Sequence, residues 1–392
     1  MEAAVLFTME NSVLTSRRLS PLTTATGLLS FAVIGASQAM YGPALPHFTE
    51  RFALQPGAAG LIVSAHSAGA IIGILSGVPL ARLPLARWRV GISLALMLAG
   101  ALCIGAEISW ALALVGGLVI GIGFGGLALG INSLYAVGFG HRSPAMVNLL
   151  NAVFGIGAML SPLLFLVDFA RGGMPFFVLA GVITVLLPLE FMMDDRLPEA
   201  DPNAPRPGNR RAAFLAFIVL LALGVGVEAT TVGYAATYLV AIGVSLEGAT
   251  TATSLFFLLF MLGRLSIVPI SLRVKSSHIV MGSLLLTTLL LLAANVVLIA
   301  PVMIVLLGAA IGIYFPNCFN WFNKVFASSS SGTAYIMASG LTGGTLIPAM
   351  VAQLVPLVGE RAIMGLVASF SFVALIIGLF VKARLAASEA AQ

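Results

Sequence analysis

The chain has 392 residues; 60% are hydrophobic, only 8% are charged, and the mean hydropathy is +1.10. Soluble domains carry roughly 25% charged residues, so a soluble enzyme, a disordered chain and a nucleic-acid-binding protein are excluded in favour of a polytopic membrane protein. The net charge of +5 then has to be explained by membrane topology rather than by an acidic partner.

A helix that crosses a bilayer needs about 20 apolar residues. The first six such runs are 22–43, 57–80, 88–107, 109–137, 144–167 and 174–193. The first is read as a span and not a removable leader, because its loss would leave an odd number of spans. Residues 194–211 hold four prolines and no apolar periodicity, which predicts a solvated linker. Six more runs follow at 212–240, 249–272, 277–298, 300–323, 333–357 and 361–383. The expected fold is all-α, with twelve transmembrane helices in two pseudo-symmetric six-helix bundles. Residues 1–193 form the first bundle and 212–392 the second, joined by the 194–211 linker. Cys103 and Cys318 sit far apart in apolar runs, which predicts neither a disulfide framework nor a metal site.

Lys and Arg accumulate in cytoplasmic loops. With both termini inside, sixteen of the 19 basic residues fall on the cytoplasmic side, and only Arg51, Arg171 and Arg361 fall outside. The expected location is therefore the plasma (inner) membrane, with anionic lipid on the basic face.

The two halves echo each other. Gly157-Ala-Met-Leu-Ser-Pro162 in span 5 is matched by Gly343-Gly-Thr-Leu-Ile-Pro348 in span 11, 186 residues later. Gly123 and Asn132 in span 4 are matched by Gly312 and Asn320 in span 10, and Pro56-Gly57-Ala58 by Glu247-Gly248-Ala249. A shared offset near 188 residues indicates duplication, the layout of carriers that rock around a central site. The 42 glycines fit, since small residues let membrane helices approach closely.

On these features the chain resembles the major facilitator superfamily. The stretch between spans 2 and 3, from Gly77 through Arg82 and Arg87 to Arg89, is similar to that family's basic signature, with Ala81 where its acid would stand. Gly263-Arg264 and Arg273 form the partner stretch. Three segments resemble the fucose-permease-like branch of sugar:proton symporters. They are Glu228 through Thr237-Tyr238 in span 7, Asn148 through Gly157 in span 5, and Gly312-Ile-Tyr-Phe-Pro316 in span 10. The acid that this branch implies for span 1 is absent near Gly42-Pro43. The resemblance implies a monomer in which spans 1, 4, 7 and 10 line the cavity.

Glu228, in the middle of span 7, is the strongest single signal. A charge at that depth costs roughly 2.5–3.5 kcal/mol on insertion scales, and intramembrane ionisable residues are functional by default. It is expected to bind and release a proton, to hold solute, or both; the plainer reading is an acid bonded to a neighbouring helix. His66 in span 2 is a second proton-coupling candidate, more simply read as a neutral ring bonded across helices. Tyr314, Asn317 and Trp321 share one face of span 10, beside Asn320. Amides and an indole suit a hydroxyl-rich ring, although tryptophan is also common at membrane interfaces. Gln38, Asn132 and Asn151 complete the expected solute contacts, with helix-packing bonds as the alternative. Arg82 and Arg264 are expected at cytoplasmic ends as gating cations; Arg264 is read either as snorkelling to the surface or as latching the two halves in one state. Glu107 and Asp168 are read as solvated at outer ends, and Glu190 as interfacial.

No Lys or Arg falls at the centre of spans 1, 4, 5, 7 or 10, which argues against an anionic solute. No phosphate-binding loop, metal cluster or catalytic constellation is evident, so the protein is expected not to be an enzyme and to need no cofactor beyond the coupling proton. The expected activity is alternating-access, proton-coupled uptake of a neutral hydroxyl-rich solute such as a sugar. The alternative is a proton-driven multidrug efflux antiporter with a pocket rich in Met and Phe. A non-transporting sensor lacks a signalling domain in this sequence.

Overall fold

The computed structural model describes residues 19–54, 58–80, 86–166, 173–193, 211–326 and 330–390. Arg82, Asp168 and residues 194–210 of the expected linker lie outside the described residues. Lipid offers no partners to main-chain N–H and C=O groups, so each crossing segment must satisfy its own, as a helix does. Every regular element among the described residues is helical.

The spans of the first half are Pro21–Ala39 continued by Tyr41–Arg51, then Leu61–Leu80, Ala86–Gly105, Trp110–Gly138, Ser143–Leu160 and Met174–Glu190. Those of the second are Arg211–Ala241, Leu246–Ile270, Ser276–Ala293, Ala300–Gly312 continued by Tyr314–Val325, Ser330–Val358 and Ile363–Ala390. Eleven spans among the described residues are long and apolar enough to cross a membrane on their own. The sixth, Met174–Glu190, has 17 residues and rises about 26 Å, slightly under the hydrocarbon thickness. Several starts are set by serines. Ser20 accepts from the Thr23 N–H, Ser109 from Leu112 and Ser245 from Gly248. Each supplies an acceptor for a first-turn donor that has no partner within the helix.

Proline chemistry moves two boundaries. Span 1 does not stop at 43: it breaks at Met40 and resumes as Tyr41–Arg51, with Pro46 inside. Pro43 sits in the first turn of the new helix, where its missing N–H has no intrahelical partner to lose. Span 10 is not one helix either; it breaks at Ile313. Pro316 has no N–H to give to the carbonyl four residues back, that of Gly312. The broken helix thus leaves an unused acceptor deep in the bundle.

The packing is pseudo-symmetric. Spans 2 and 4, 3 and 4, 1 and 5, 1 and 6, and 3 and 6 pack together, and each pair recurs six spans later. Across the halves, span 5 meets spans 8 and 10, and span 2 meets span 11. The duplicated glycines carry equivalent contacts. A methyl at Gly157 would run into the carbonyl oxygen of Ala32 on span 1, and one at Gly343 into that of Ala222 on span 7. Main chains therefore touch where only glycine permits it. Large apolar side chains such as Leu215, Leu289 and Leu346 are exposed, as a lipid-facing surface requires.

Gly343→Leu is expected to destabilise the protein by roughly 1–3 kcal/mol or more, because the clash is with main chain. Gly233 in span 7 has open space around its Cβ position, so Gly233→Ala should change stability by less than about 1 kcal/mol. Thermal unfolding in detergent measures both.

Candidate functional site

Glu228 stands near the middle of span 7, and Arg264 lies about 9 Å inside the end of span 8. Of the two readings open for this arginine, running out to the membrane surface is not what the side chain does. Its side chain turns inward, is only 5% exposed, and places NH2 3.8 Å from Glu228 Oε1. Its Nε donates to the Gly312 carbonyl at 2.9 Å, the acceptor freed by Pro316. Its NH1 donates to the Asn151 carbonyl of span 5 at 3.2 Å. Its guanidinium carbon lies 4.1 Å from the ring centre of Phe260, one turn earlier on span 8. One cation thereby joins spans 7, 8 and 10 of the second half to span 5 of the first. The Glu228 side chain keeps 21% of its exposure.

The asparagines extend this cluster. Asn151 Nδ2 donates to Asn132 Oδ1 at 3.4 Å and to the Val147 carbonyl, while Asn132 donates to the Ala128 carbonyl. Asn132, Asn151, Arg264 and Glu228 therefore form one chain of contacts across spans 4, 5, 8 and 7.

A second amide cluster lies toward the end of the bundle that carries Arg142 and Lys324. Asn148 of span 5 and Asn317 of span 10 bond reciprocally, at 3.3 and 3.0 Å. Asn320 donates to the Pro144 carbonyl at 3.4 Å. All three are buried. In this conformation these amides bond the two halves to each other. Tyr314 donates to the Leu220 carbonyl at 2.6 Å, and Trp321 meets Phe217 edge-to-face. The expected aromatic face of span 10 thus packs on span 7.

Other candidates stand elsewhere. His66 is buried in the first bundle, 3.2 Å from the Tyr41 hydroxyl and edge-on to Phe124. Its Nε2 has no partner among the described residues, and its ring contacts do not include Glu228. Gln38 is exposed on span 1 and has no hydrogen bond among the described residues. Glu190, the last residue of span 6, is fully buried and accepts from Ser30 Oγ at 2.6 Å. Glu107 is not simply solvated, since His47 Nε2 lies 2.6 Å and Arg51 Nε 3.4 Å from its carboxylate. Among the described residues no cluster of three His, Cys, Asp or Glu could hold a metal ion.

The family model for the major facilitator superfamily matches residues 27–339, most of the chain. The chain belongs to the major facilitator superfamily. It is a non-enzymatic, multi-pass membrane carrier of small-molecule solutes. No curated protein matches it. Among solved structures it is similar to the FucP transporter in the outward conformation, with a TM-score of 0.78 and 16% identity. That alignment covers 91% of this chain and 98% of the other; a variant of the same protein is described as the E. coli fucose:proton symporter. It is also similar to the human organic anion transporter MFSD10, with a TM-score of 0.74 and 16% identity, over 92% of this chain and all of the other. The proton:xylose symporter XylE gives a TM-score of 0.71 and 12% identity, over 91% and 94%. At such identities these likenesses carry the fold and not the solute.

For a superfamily carrier, the pairing of Arg264 with Glu228 is the residue-level finding that sequence reasoning missed. A signal was present: Arg264 is a lone cation in an apolar run, and intramembrane charges pair with one another. Its position also removes the ground for excluding an anionic solute, because a span-8 side chain supplies the fixed positive charge that spans 1, 4, 5, 7 and 10 lack.

If the Asn148–Asn317 pair closes one end of the carrier, a double-mutant cycle with alanine should give a coupling of about 1 kcal/mol in thermal unfolding. Zero coupling would show that the two amides act independently of each other.

Proposed function

We propose that this superfamily carrier couples proton movement to uptake of a small hydroxyl-rich solute, with Glu228 as the proton site and Arg264 as its counter-charge. The observation that carries the reading is the Glu228–Arg264 pair at the seam, with Arg264 also held by the Asn151 carbonyl of the opposite half. Both residues belong to the second half, so protonation of Glu228 leaves the Arg264–Asn151 bond across the seam in place and removes the compensation of the cation beside it. A proton affects alternating access only if it binds the two states differently, and Glu228 meets that condition if the Asn151 carbonyl of the other half holds its counter-charge in only one of them. The buried amide cluster at one end, together with residual exposure at Glu228, is the asymmetry an alternating-access cycle needs.

The sugar-sized, hydroxyl-rich solute rests on the amides Asn132 and Asn151 beside the pair. The efflux alternative would seat a lipophilic cation next to Arg264, whose fixed charge repels it. The organisation proposed with this function is a first bundle at 1–193, a linker at 194–211 and a second bundle at 212–392. Both termini and the linker face the cytoplasm, in a monomer in the inner membrane. With that orientation the amide cluster seals the cytoplasmic end and the site opens outward.

Proteoliposomes under an inward proton gradient test the reading. A panel of radiolabelled sugars, polyols and sugar acids should contain a solute that accumulates only with the gradient. Glu228→Gln should lose gradient-driven accumulation while keeping solute exchange. Equal accumulation with and without the gradient, or an unaffected Glu228→Gln variant, contradicts proton coupling at this residue.

A further inference from the structure

We infer that the transported solute carries a negative charge, a carboxylate among hydroxyls, and that Arg264 is the group that receives it. The inference rests on the reading of Glu228 as the proton site and adds the solute's charge class.

The first observation is what holds the arginine. Two of its three nitrogens donate to main-chain carbonyls, those of Gly312 and Asn151, and its carbon lies over Phe260. The guanidinium is therefore fixed in place without help from Glu228. NH2 makes no hydrogen bond among the described residues, and the carboxylate lies at 3.8 Å, past hydrogen-bond reach. A planar guanidinium with an unused donor edge is a natural receptor for a carboxylate.

The second observation is how weakly Glu228 is held. Its carboxyl accepts no hydrogen bond among the described residues, and it is the partly exposed member of the pair. Only charge keeps it at the arginine. Asn151 Oδ1, close by, accepts no hydrogen bond either and is available to a solute hydroxyl.

The charge balance then selects the solute. With Glu228 ionised, the empty site is neutral. A proton on Glu228 leaves Arg264 as an uncompensated cation in a nearly sealed position, an unfavourable arrangement at the centre of a membrane protein. A neutral solute arriving with that proton leaves the cation bare during the conformational change. An anionic solute restores neutrality, so the empty and loaded forms are both neutral at the site. Proton and anion then replace the glutamate–arginine pair by a glutamic acid and an anion–arginine pair.

The test is binding to the purified full-length protein, by thermal shift and by equilibrium competition, with matched ligands that differ in charge. Suitable pairs are glucuronate with glucose, galacturonate with galactose, and gluconate with glucitol. Wild type, Glu228→Gln, Arg264→Gln and Arg264→Lys are compared at pH 7.5. At least one acid should bind where its neutral partner does not. Glu228→Gln removes the competing carboxylate in a nearly isosteric way and should bind that acid roughly tenfold tighter or more. Arg264→Gln should lose the acid, and Arg264→Lys should retain it weakly. The inference is overturned if neutral partners bind as well as the acids, if Glu228→Gln gains nothing, or if no acid binds either protein. The proton reading fails separately, if the acid binds as expected but its uptake ignores a proton gradient.

Discussion

A cation inside a membrane protein needs compensation, and Arg264 receives it from groups on four spans. Opening span 10 at Pro316 frees the Gly312 carbonyl for Nε, and the Asn151 carbonyl takes NH1 from across the seam. Phe260 supplies an electron-rich face beneath it. Glu228 completes the charge balance from span 7. Removing one partner of such a pair leaves an unpaired buried charge, and measured penalties for that run to about 3–5 kcal/mol. The two halves are thereby linked through the Arg264–Asn151 bond, beside a glutamate of the second half.

The surrounding packing allows that link to act. Spans 1 and 5 pack as tightly as spans 7 and 11, through glycines at equivalent places of the repeat. Each half is therefore stiff where its own helices touch main chain to main chain. Between halves, helix packing such as that of span 2 on span 11 is joined, among the described residues, by amide pairs such as Asn148–Asn317 and by the Arg264–Asn151 bond. In bilayers such polar contacts between helices contribute only about 0.6–1.7 kcal/mol each. Polar contacts that weak can form and break during a rocking motion, whereas the main-chain contacts at the glycines inside each half are fixed by the absence of a Cβ.

Much of the fold was legible in the sequence because lipid imposes one simple rule, a long apolar run for each crossing. The duplicated Gly157 and Gly343 motifs even marked the two equivalent seams. The break at Ile313 was harder to see, because Pro316 sits inside a run whose hydropathy gives no sign of a bend. Site geometry was less legible still. Glu228, Asn132 and Asn151 stood out as polar residues at depth, and they lie together. Arg264 stood out too, but its distance from the helix end suggested a side chain reaching outward, and only the fold shows that it turns inward. Asn317 and Asn320 were expected at the solute, yet here they bond span 5, since a side chain's partner across the seam depends on conformation. The burial of Glu190 was not legible for a related reason: its partner Ser30 is 160 residues away in the chain.

The most direct test of the account is to separate the chemical and electrical parts of the driving force. Proteoliposomes are loaded so that either a pH difference or a potassium-diffusion potential is imposed alone, and uptake of a sugar acid that binds Arg264-dependently is followed. Co-transport of one proton and one monovalent anion in the same direction moves no net charge. The pH difference should therefore drive accumulation and the potential should not. Accumulation driven equally well by an inside-negative potential would mean that net positive charge enters with the solute, and would contradict the account.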